Sequence, residues 1–324
     1  MRTVDNIHDF EQIRVLADAR RLKILRLLMS APSTLTQLAQ ALGESPAWVR
    51  HHMLALEAAG LIQLAEVRTT GKVREKFFRA RAGAFMLREM VLPQAAKPAV
   101  VFAGSDDPAL DEIARRLSGK LTLLSLPVGS LEGLINLREQ MCQLSGSHLL
   151  DAGGDYNVPF IRHLFPDREV LLVTLAQRTQ GWMLAAGNPK GLRGIQDLLQ
   201  PGVRFVNRNP GSGTRVWMDA ELHRGALPPE SIEGYQREVS THDEAAALVQ
   251  SGQADISLGL QAAAQAHGLD FIPLFEERYD LVLTPEHKTA LLPILDYIQT
   301  REFRRALSSF AGYNPRHTGE QIHP

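Results

Sequence analysis

The chain has 324 residues, of which 44% are hydrophobic, 22% charged and 6% aromatic, and its 35 Lys and Arg nearly balance 36 Asp and Glu. This length predicts two or three domains, and the composition excludes a disordered, collagen-like or low-complexity chain. Cys142 is the single cysteine, which excludes an intrachain disulfide and a cysteine-based zinc or iron–sulfur site. The sequence has no apolar run long enough for a membrane span and no signal-peptide core, so we expect a soluble, cytoplasmic protein with no membrane partner.

The balanced total charge hides an asymmetry. Residues 1–92 hold 14 Lys and Arg against 9 Asp and Glu, whereas the remainder holds 21 against 27. A basic N-terminal part on an acidic body favours a polyanionic partner for the first part only, and a solvated basic face is the alternative.

The first ninety residues predict helices at 8–16, 20–29, 34–43 and 46–59, and then a hairpin. Asp18 and Ser45 are suitable N-caps, and Gly43 suits the end of the third helix. A short helix, a glycine turn and a capped helix are typical of a helix-turn-helix. The hairpin has Gly71 at its tip between basic residues, which predicts a basic wing.

A helix of this size fits the DNA major groove, and wing cations reach phosphates. The fourth helix should bury Val49, Met53, Leu54 and Leu56 and expose polar residues near its start. The predicted DNA contacts are Ser45, Trp48, Arg50, His51, His52, Arg68, Lys72, Arg74 and Lys76.

Three segments of this region, LADARRLKILRLL (16–28), LTQLAQALG (35–43) and VRHHMLALEAAGLI (49–62), resemble the ArsR-type winged helix. The resemblance implies a homodimer formed through the first and last helices, the last of which would include residues 84–91. Metal-sensing members of that family carry a cysteine pair on the helix that here spans 35–42, which has no cysteine, so metal sensing is not implied. A winged helix used for protein contacts is the alternative.

Beyond a linker at 93–98, apolar runs at 99–103, 121–126, 148–151 and 170–175 alternate with amphipathic helices. This alternation predicts parallel sheets covered by helices, with ligands at the carboxyl ends of the strands.

Several predicted helices begin at loops rich in glycine and serine. Gly104-Ser105, Gly129-Ser130, the loop at 210–214 and Thr241-His242 each open a helix. Free backbone N–H groups and a hydroxyl at such a place can hold an anion, although a plain N-cap is the alternative for any single loop. Because no Walker, dinucleotide, Gly-x-Ser-x-Gly or zinc-protease motif occurs, we expect neither an enzyme nor a cofactor.

Residues 98–311 resemble the molybdate-type periplasmic-binding-protein-like domain that is fused to bacterial helix-turn-helix regulators. The segments that carry the resemblance include GSLEGL (129–134), HLLD (148–151), NRNPGSGTR (207–215), LDFIPL (269–274) and ERYDL (277–281). The resemblance implies one lobe at about 99–180 and 270–312 and a second at about 181–269, joined by crossovers near 177–188 and 260–273. The polar tail, 313–324, is expected to be disordered.

The same resemblance implies ligand contacts from Ser105 and Ser130 in one lobe. The other lobe would contribute backbone N–H groups near Ser212, Gly213 and Thr214, and near His242. Molybdate transport proteins have a ligating tyrosine where this chain has Leu260. Arg178, Arg215 and Tyr279 are polar candidates to compensate, although the two arginines could equally lock the hinge.

The sequence therefore predicts an α+β winged helix-turn-helix domain followed by an α/β two-lobed periplasmic-binding-protein-like (type II) domain. The corresponding function is a one-component regulator that binds double-stranded operator DNA and senses molybdate or tungstate by hinge closure. Hydroxyls and amides can satisfy such a dianion without a buried countercharge. The alternatives are a small organic ligand, with Leu260 lining a larger pocket, and a catalytic domain acting on an anionic substrate with Asp255 or His242 as the base.

Overall fold

The computed structural model describes residues 3–7, 9–70, 73–87, 90–93, 97–151 and 153–324. The chain divides into two compact units, Met1–Val91 and Leu92–Pro324. In the described ranges, no helix is long and apolar enough to cross a membrane.

The first unit is helical, with a two-stranded hairpin and one further pair of short strands. Its helices are α1 (Phe10–Leu16), α2 (Ala19–Ser30), α3 (Leu35–Leu42) and α4 (Pro46–Ala58). Its strands are β1 (Val4–Ile7), β2 (Ile62–Thr70), β3 (Val73–Ala80) and β4 (Ala84–Leu87). Local sequence accounts for the helix ends: Asp18, Thr34 and Ser45 each accept a hydrogen bond from the first turn that follows, and Gly43 ends α3 at φ 69°.

Two expectations for the secondary structure and core of this unit are wrong. Residues 84–87 form a strand that pairs in parallel with Val4–Ile7, where a helix over 84–91 was expected; residues 88 and 89 lie outside the described residues. Ile7 is fully buried among the helices, and the strand pair positions it there. Leu54, expected in the core, is 54% exposed, because the buried stripe of α4 runs through Val49, Met53 and Leu56.

The second unit alternates strands and helices, as the sequence predicts. Its helices are α5 (Pro108–Leu117), α6 (Ser130–Arg138), α7 (Val158–Leu164), α8 (Gly213–Arg224), α9 (His242–Gln250), α10 (Gln261–Ala266), α11 (Lys288–Ile298) and α12 (Arg301–Ser308). Its strands are β5 (Ala99–Gly104), β6 (Thr122–Pro127), β7 (Leu144–Ser147), β8 (Leu171–Leu184), β9 (Phe205–Arg208), β10 (Glu238–Val239), β11 (Ile256–Leu260), β12 (Asp270–Leu283), β13 (Tyr313–Asn314) and β14 (Gln321–Ile322).

Two long antiparallel strands, β8 and β12, run through both lobes of this unit. The sheet order is β10-β9-β11-β8-β12-β7-β5-β6, so β5, β6 and β7 belong to lobe 1 and β9, β10 and β11 to lobe 2. Because β12 is antiparallel to both of its neighbours, the sheet is mixed where a parallel one was expected. Strand β12 pairs with β8 from Asp270 to Leu283, with a register shift between Pro273 and Phe275.

The strand predicted at 148–151 lies earlier, at Leu144–Ser147, and residues 148–151 follow its carboxyl end. The sequence of this strand, LSGS, has no apolar alternation, which is why its pattern was missed. Gly146 is required there because a side chain would collide with Phe102 and Tyr279.

The C-terminal tail is ordered, and the expectation of disorder is wrong. Strands β13 and β14 pair with the edge of β8 at Arg178 and at Val173. Thr318 is 1% exposed, and its Oγ1 donates to the Leu175 carbonyl over 2.8 Å. The tail therefore satisfies backbone groups on β8 that would otherwise form an open sheet edge.

We expect Thr318→Val to lower the free energy of unfolding by about 1–2 kcal/mol, because it removes a buried hydrogen bond at nearly constant volume. Deletion of residues 313–324 should cost more and promote association through the exposed β8 edge. Urea denaturation with light scattering measures both effects. The matched control is Thr289→Val, at an exposed position of α11, where a change within about 0.5 kcal/mol is expected. Equal midpoints for Thr318→Val and Thr289→Val would contradict this account.

Candidate functional site

The predicted wing and α4 present several exposed basic side chains on the first unit. Arg50 and His51 are exposed on α4, and Arg74 and Lys76 are exposed on β3. A groove of about 540 Å³ lies between α4 and the wing, and Arg50, Arg74 and Lys76 are among its lining residues. Arg68 is bound by Glu66 at 2.5 Å and stacks over Phe77, 4.5 Å from its ring centroid.

The remaining predicted DNA contacts differ in accessibility. The Ser45 hydroxyl caps α4 by accepting from the Trp48 N–H at 3.2 Å, and Trp48 is half-buried against the helical core. His52, expected to be exposed, is buried with its ring edge-on to Trp48 at 4.4 Å between centroids. His52 faces the core because it follows His51 on the helix, about 100° around the axis. Lys72 lies outside the described residues.

In the second unit, the two lobes touch each other directly. The Asn209 amide donates to the Val128 carbonyl at 2.9 Å, and the Leu131 N–H donates to the Gly211 carbonyl at 3.1 Å. A Cβ on Gly213 would lie 2.5 Å from Nδ1 of His148, so glycine is required for this close approach. The lobes are therefore in a closed arrangement.

The predicted serines and threonine are all buried near this contact. The Ser105 Oγ lies 2.8 Å from Nε2 of His148, and the Ser130 Oγ accepts from the backbone N–H of His148 at 3.2 Å. Thr214 accepts from the Gln180 amide at 2.9 Å. Ser212 caps α8 by accepting from the N–H of Arg215 at 3.2 Å, which is the plain role considered for such loops.

Arg178 lies on β8, directly opposite Glu277 of β12, in the strand pair that runs through both lobes. Its side chain is fully buried between two carboxylates. Its guanidinium donates to Asp107, the N-cap of α5, and to Glu277 of β12, and it stacks over Tyr279 at 4.1 Å from the ring centroid. Burial would raise the pKa of Glu277, but the charge of Arg178, together with His148 and the hydrogen bonds from His148 and Gln180, outweighs burial and lowers that pKa to about 2. Arg178 therefore joins β8 and β12 to the start of α5, an arrangement that fits the hinge role considered for it.

Two buried groups of lobe 2 have no partner for most of their polar atoms in the part of the chain that the structure describes. Arg208 is 1% exposed; its Nη2 donates to the Ser240 carbonyl at 2.7 Å, while Nε and Nη1 have no partner within the described part of the chain. His242, at the start of α9, is 4% exposed, and neither ring nitrogen has a partner there. Sequence analysis missed Arg208, and its signal is a strand-terminal arginine before the glycine-rich loop at 210–214.

The electrostatics of these two groups differ. Burial lowers the pKa of Arg208 to about 10, so its guanidinium stays charged at neutral pH. Burial and the nearby Arg208 charge lower the pKa of His242, so its ring is neutral. Asp106 of lobe 1 is half-buried, and burial raises its pKa, against which the charge of Arg208 acts. A buried cation with unused N–H bonds costs several kcal/mol unless an acceptor satisfies it, and an anionic ligand is such an acceptor.

Three other sequence candidates are engaged by protein groups. Arg215 binds Asp219 and Glu238, each at 2.9 Å, and so stabilises lobe 2. The Tyr279 hydroxyl donates to the Ser105 carbonyl at 2.5 Å and is fully buried. Asp255, considered as a general base, is bound by Arg204 and Lys190. Leu260 is buried in β11 opposite Gln180.

His148 and Glu277 are the other groups that the sequence did not reveal as a pair. The Nδ1 of His148 lies 2.6 Å from a Glu277 carboxylate oxygen, although the two residues are far apart in the chain. In the portion of the chain described here, no group of three or more His, Cys, Asp or Glu side chains could hold a metal ion.

Comparison with known proteins identifies the class of each unit. The model of the bacterial regulatory protein arsR family matches residues 18–63, and the model of the PBP superfamily domain matches residues 110–293. The chain belongs to the PBP superfamily. Both resemblances drawn from the sequence and the predicted fold class are thus confirmed.

One relative and two solved structures illustrate this likeness. The uncharacterized protein YvgK of Bacillus subtilis (strain 168) is 33% identical over 229 residues, which cover 70% of this chain and 74% of the relative. The sulfate-binding protein SubI from Mycobacterium tuberculosis is 15% identical, with a TM-score of 0.48, over 68% of this chain and 87% of the other. The tungstate ABC transporter from Geobacter sulfurreducens is 11% identical, with a TM-score of 0.47, over 65% of this chain and 98% of the other. At these scores, neither structure bears on the ligand of this chain.

An ArsR-type helix-turn-helix joined to a PBP-like domain combines a DNA-binding and a ligand-binding module, as in a regulator that senses a small ligand. Neither family is enzymatic.

We expect Arg178→Met to lower the free energy of unfolding by about 3–5 kcal/mol, because it leaves two buried carboxylates without their counter-ion. Urea denaturation followed by circular dichroism measures the loss. The matched control is Arg224→Met, which breaks an exposed ion pair with Glu221 and should cost at most about 1 kcal/mol.

The same comparison has a pH dependence. Because the pKa of Glu277 is lowered from 4.5 to about 2, its stabilising interaction with Arg178 is present above about pH 4.5 and is lost as the pH falls towards 2. The difference between the original chain and Arg178→Met should shrink over that range. If the difference in free energy of unfolding between the original chain and Arg178→Met did not change with pH, Arg178 would not be the counter-ion of Glu277. Equal losses of stability in Arg178→Met and Arg224→Met would also contradict that role.

Proposed function

We propose that the chain is a one-component transcriptional regulator that binds operator DNA as a homodimer and senses a small tetrahedral oxyanion between the lobes of its second unit. Molybdate and tungstate are the leading ligands. The observation that carries the proposal is that Arg208 and His242 are buried beside the lobe contact and that, among the described residues, most of their polar atoms have no partner.

The chemistry around these groups suits an anion. Arg208 supplies a positive charge, and His242 supplies one ring N–H. The Ser130 hydroxyl accepts from the His148 N–H and, within the described residues, donates to no protein group, so it can donate to a ligand. Helix α6 begins at Ser130 without a side-chain cap, so the positive end of its dipole also favours negative charge. A charged donor replaces part of the neutral set that the sequence suggested, which favours an anion over a neutral molecule.

A small organic anion is the second candidate, and Asp106 is the observation that favours it. This carboxylate belongs to lobe 1 and interacts electrostatically with Arg208 of lobe 2. A ligand with both an anionic group and a hydroxyl or ammonium group would satisfy both residues, whereas a bare oxyanion would satisfy only Arg208.

Ligand binding would act through lobe closure. The Asn209–Val128 and Leu131–Gly211 hydrogen bonds join the lobes, so a ligand held by both lobes favours the closed state. We infer that closure changes the half-site spacing of the dimer on DNA.

Isothermal titration of the full chain with molybdate, tungstate and sulfate tests the ligand. We expect micromolar or tighter dissociation constants for the first two and a loss of about 30-fold or more in Arg208→Gln, because a buried charged contact is worth about 2 kcal/mol or more. The control is Arg204→Gln, in the same lobe, whose guanidinium binds Asp255. Unchanged binding in Arg208→Gln would remove Arg208 from the site. Binding of an organic acid but none of these anions would favour the second candidate.

A separate titration tests the DNA interface, using duplexes that the original chain selects from a random library. Arg74→Ala and Lys76→Ala should weaken binding to all sequences and each reduce the salt slope by about 1. Arg50→Ala should cost about 1–3 kcal/mol and relax sequence preference. Lys288→Ala, an exposed cation of the second unit, is the control. Unchanged salt slopes in the wing variants, or no selected duplex, would contradict the proposal.

A further inference from the structure

Ser105, His148 and Glu277 form a buried chain of hydrogen bonds next to the proposed anion site. The Ser105 Oγ lies 2.8 Å from Nε2 of His148, and Nδ1 of His148 lies 2.6 Å from Glu277 Oε2. All three residues are buried, and they come from the loop after β5, the position directly after β7 and the middle of β12. We call these residues the relay.

The positions of the hydrogens in the relay follow from its chemistry. Glu277 is ionised beside Arg178 and can only accept, so Nδ1 of His148 carries a hydrogen. In a neutral imidazole, Nε2 then has a lone pair, and the Ser105 hydroxyl must donate to it. Ser105 therefore offers an approaching ligand only a lone pair.

A fully deprotonated oxyanion has no hydrogen to give to that lone pair, so the relay as it stands repels it. A proton on His148 reverses the hydrogen bond between His148 and Ser105 and leaves the one to Glu277 unchanged: Nε2–H donates to the Ser105 Oγ, and the Ser105 hydroxyl donates to the anion. An anion that carries its own hydrogen can instead donate to Ser105 and leave His148 neutral.

We propose, on the basis of the anion site proposed above, that the relay makes binding of a fully deprotonated oxyanion depend on the uptake of one proton by His148. The site then binds an oxyanion together with one proton. That proton is carried either by the anion itself or by His148 of the relay.

The charges around His148 allow this change. Glu277 of β12 favours the protonated ring, whereas Arg178 of β8, Arg208 of β9 and the neutral His242 of α9 do not. The uncharged Tyr279 ring lies 6.0 Å away, and Gly213 of α8 brings no charge. Burial lowers the pKa of His148, so the ring is neutral without a ligand. A dianion beside Arg208 offsets the opposing charge and raises that pKa.

The sign of the pH dependence follows from linkage. A group that is protonated only in the complex makes binding tighter as the pH falls. Between the pKa values of His148 in the free and bound chain, the affinity for molybdate should change by about tenfold per pH unit.

Calorimetry of the full chain with molybdate and tungstate, at a mildly alkaline pH where both anions are fully deprotonated, counts the protons. The titration is repeated in buffers with different ionisation enthalpies, such as HEPES, imidazole and Tris, and the slope of the observed enthalpy gives the number taken up. We expect about one proton in the original chain. His148→Gln places a permanent amide donor opposite Ser105, so we expect binding with no uptake and little pH dependence. His163→Gln, at an exposed position of α7, should leave the slope unchanged.

Each outcome decides the matter. Tight binding with the same enthalpy in every buffer overturns the relay and leaves the proposed function standing. Uptake that persists in His148→Gln assigns the proton to another group and also overturns it. If neither molybdate nor tungstate binds, the proposed function and this inference are both overturned. Should His148→Gln fail to fold, the buffer series and pH profile of the original chain still give or deny the one-proton slope.

Discussion

The buried ion cluster of Arg178 is the interaction on which the geometry of the second unit depends. One guanidinium joins Asp107 at the start of α5 to Glu277 on β12 and lies on β8, so it fixes both crossing strands against a helix of lobe 1. None of these charges can leave without stranding another in the interior, which is far more costly than breaking a surface pair. Glu277 in turn orients His148, and His148 orients Ser105. The position of the Ser105 hydroxyl in the site thus depends on the Arg178 charge, through Glu277 and His148.

The two lobes contribute unequally to the site. In lobe 1, Ser105 and His148 have protein partners and are held in one orientation. In lobe 2, Arg208 and His242 are buried, yet several of their polar atoms find no partner in the described ranges. A ligand that satisfies lobe 2 while touching the fixed groups of lobe 1 gains most when the lobes are together. This difference in interaction energy between open and closed arrangements is what lets a ligand drive closure.

Sequence reasoning succeeded where the cause of a structure is local and failed where it is distant. The caps at Asp18 and Ser45 and the turn at Gly43 follow from a few adjacent residues, and so do the loops that carry Ser105 and Ser130. The pairing of His148 with Glu277, the strand at 84–87 and the ordered tail depend on partners far away in the chain. The tail is held by its backbone pairing with β8, by the Thr318 hydroxyl and by the Tyr313 hydroxyl, which donates to Asp107, and no periodicity in its sequence predicts these contacts. Arg208 was missed because its place at the end of a strand, before a glycine-rich loop, does not by itself show that the side chain is buried.

The closeness of the lobes limits what the site can accept. Gly129 lies against Ser212, and Gly213 lies against His148, with no room for a Cβ at the second contact. A ligand can therefore be compatible with the closed state only if it fits among Arg208, His242 and the serines without separating these glycines. A larger molecule that binds Arg208 but holds the lobes apart would occupy the site and oppose closure. Since interiors are close-packed and shift between discrete arrangements, size alone would then divide ligands into those that close the domain and those that block it.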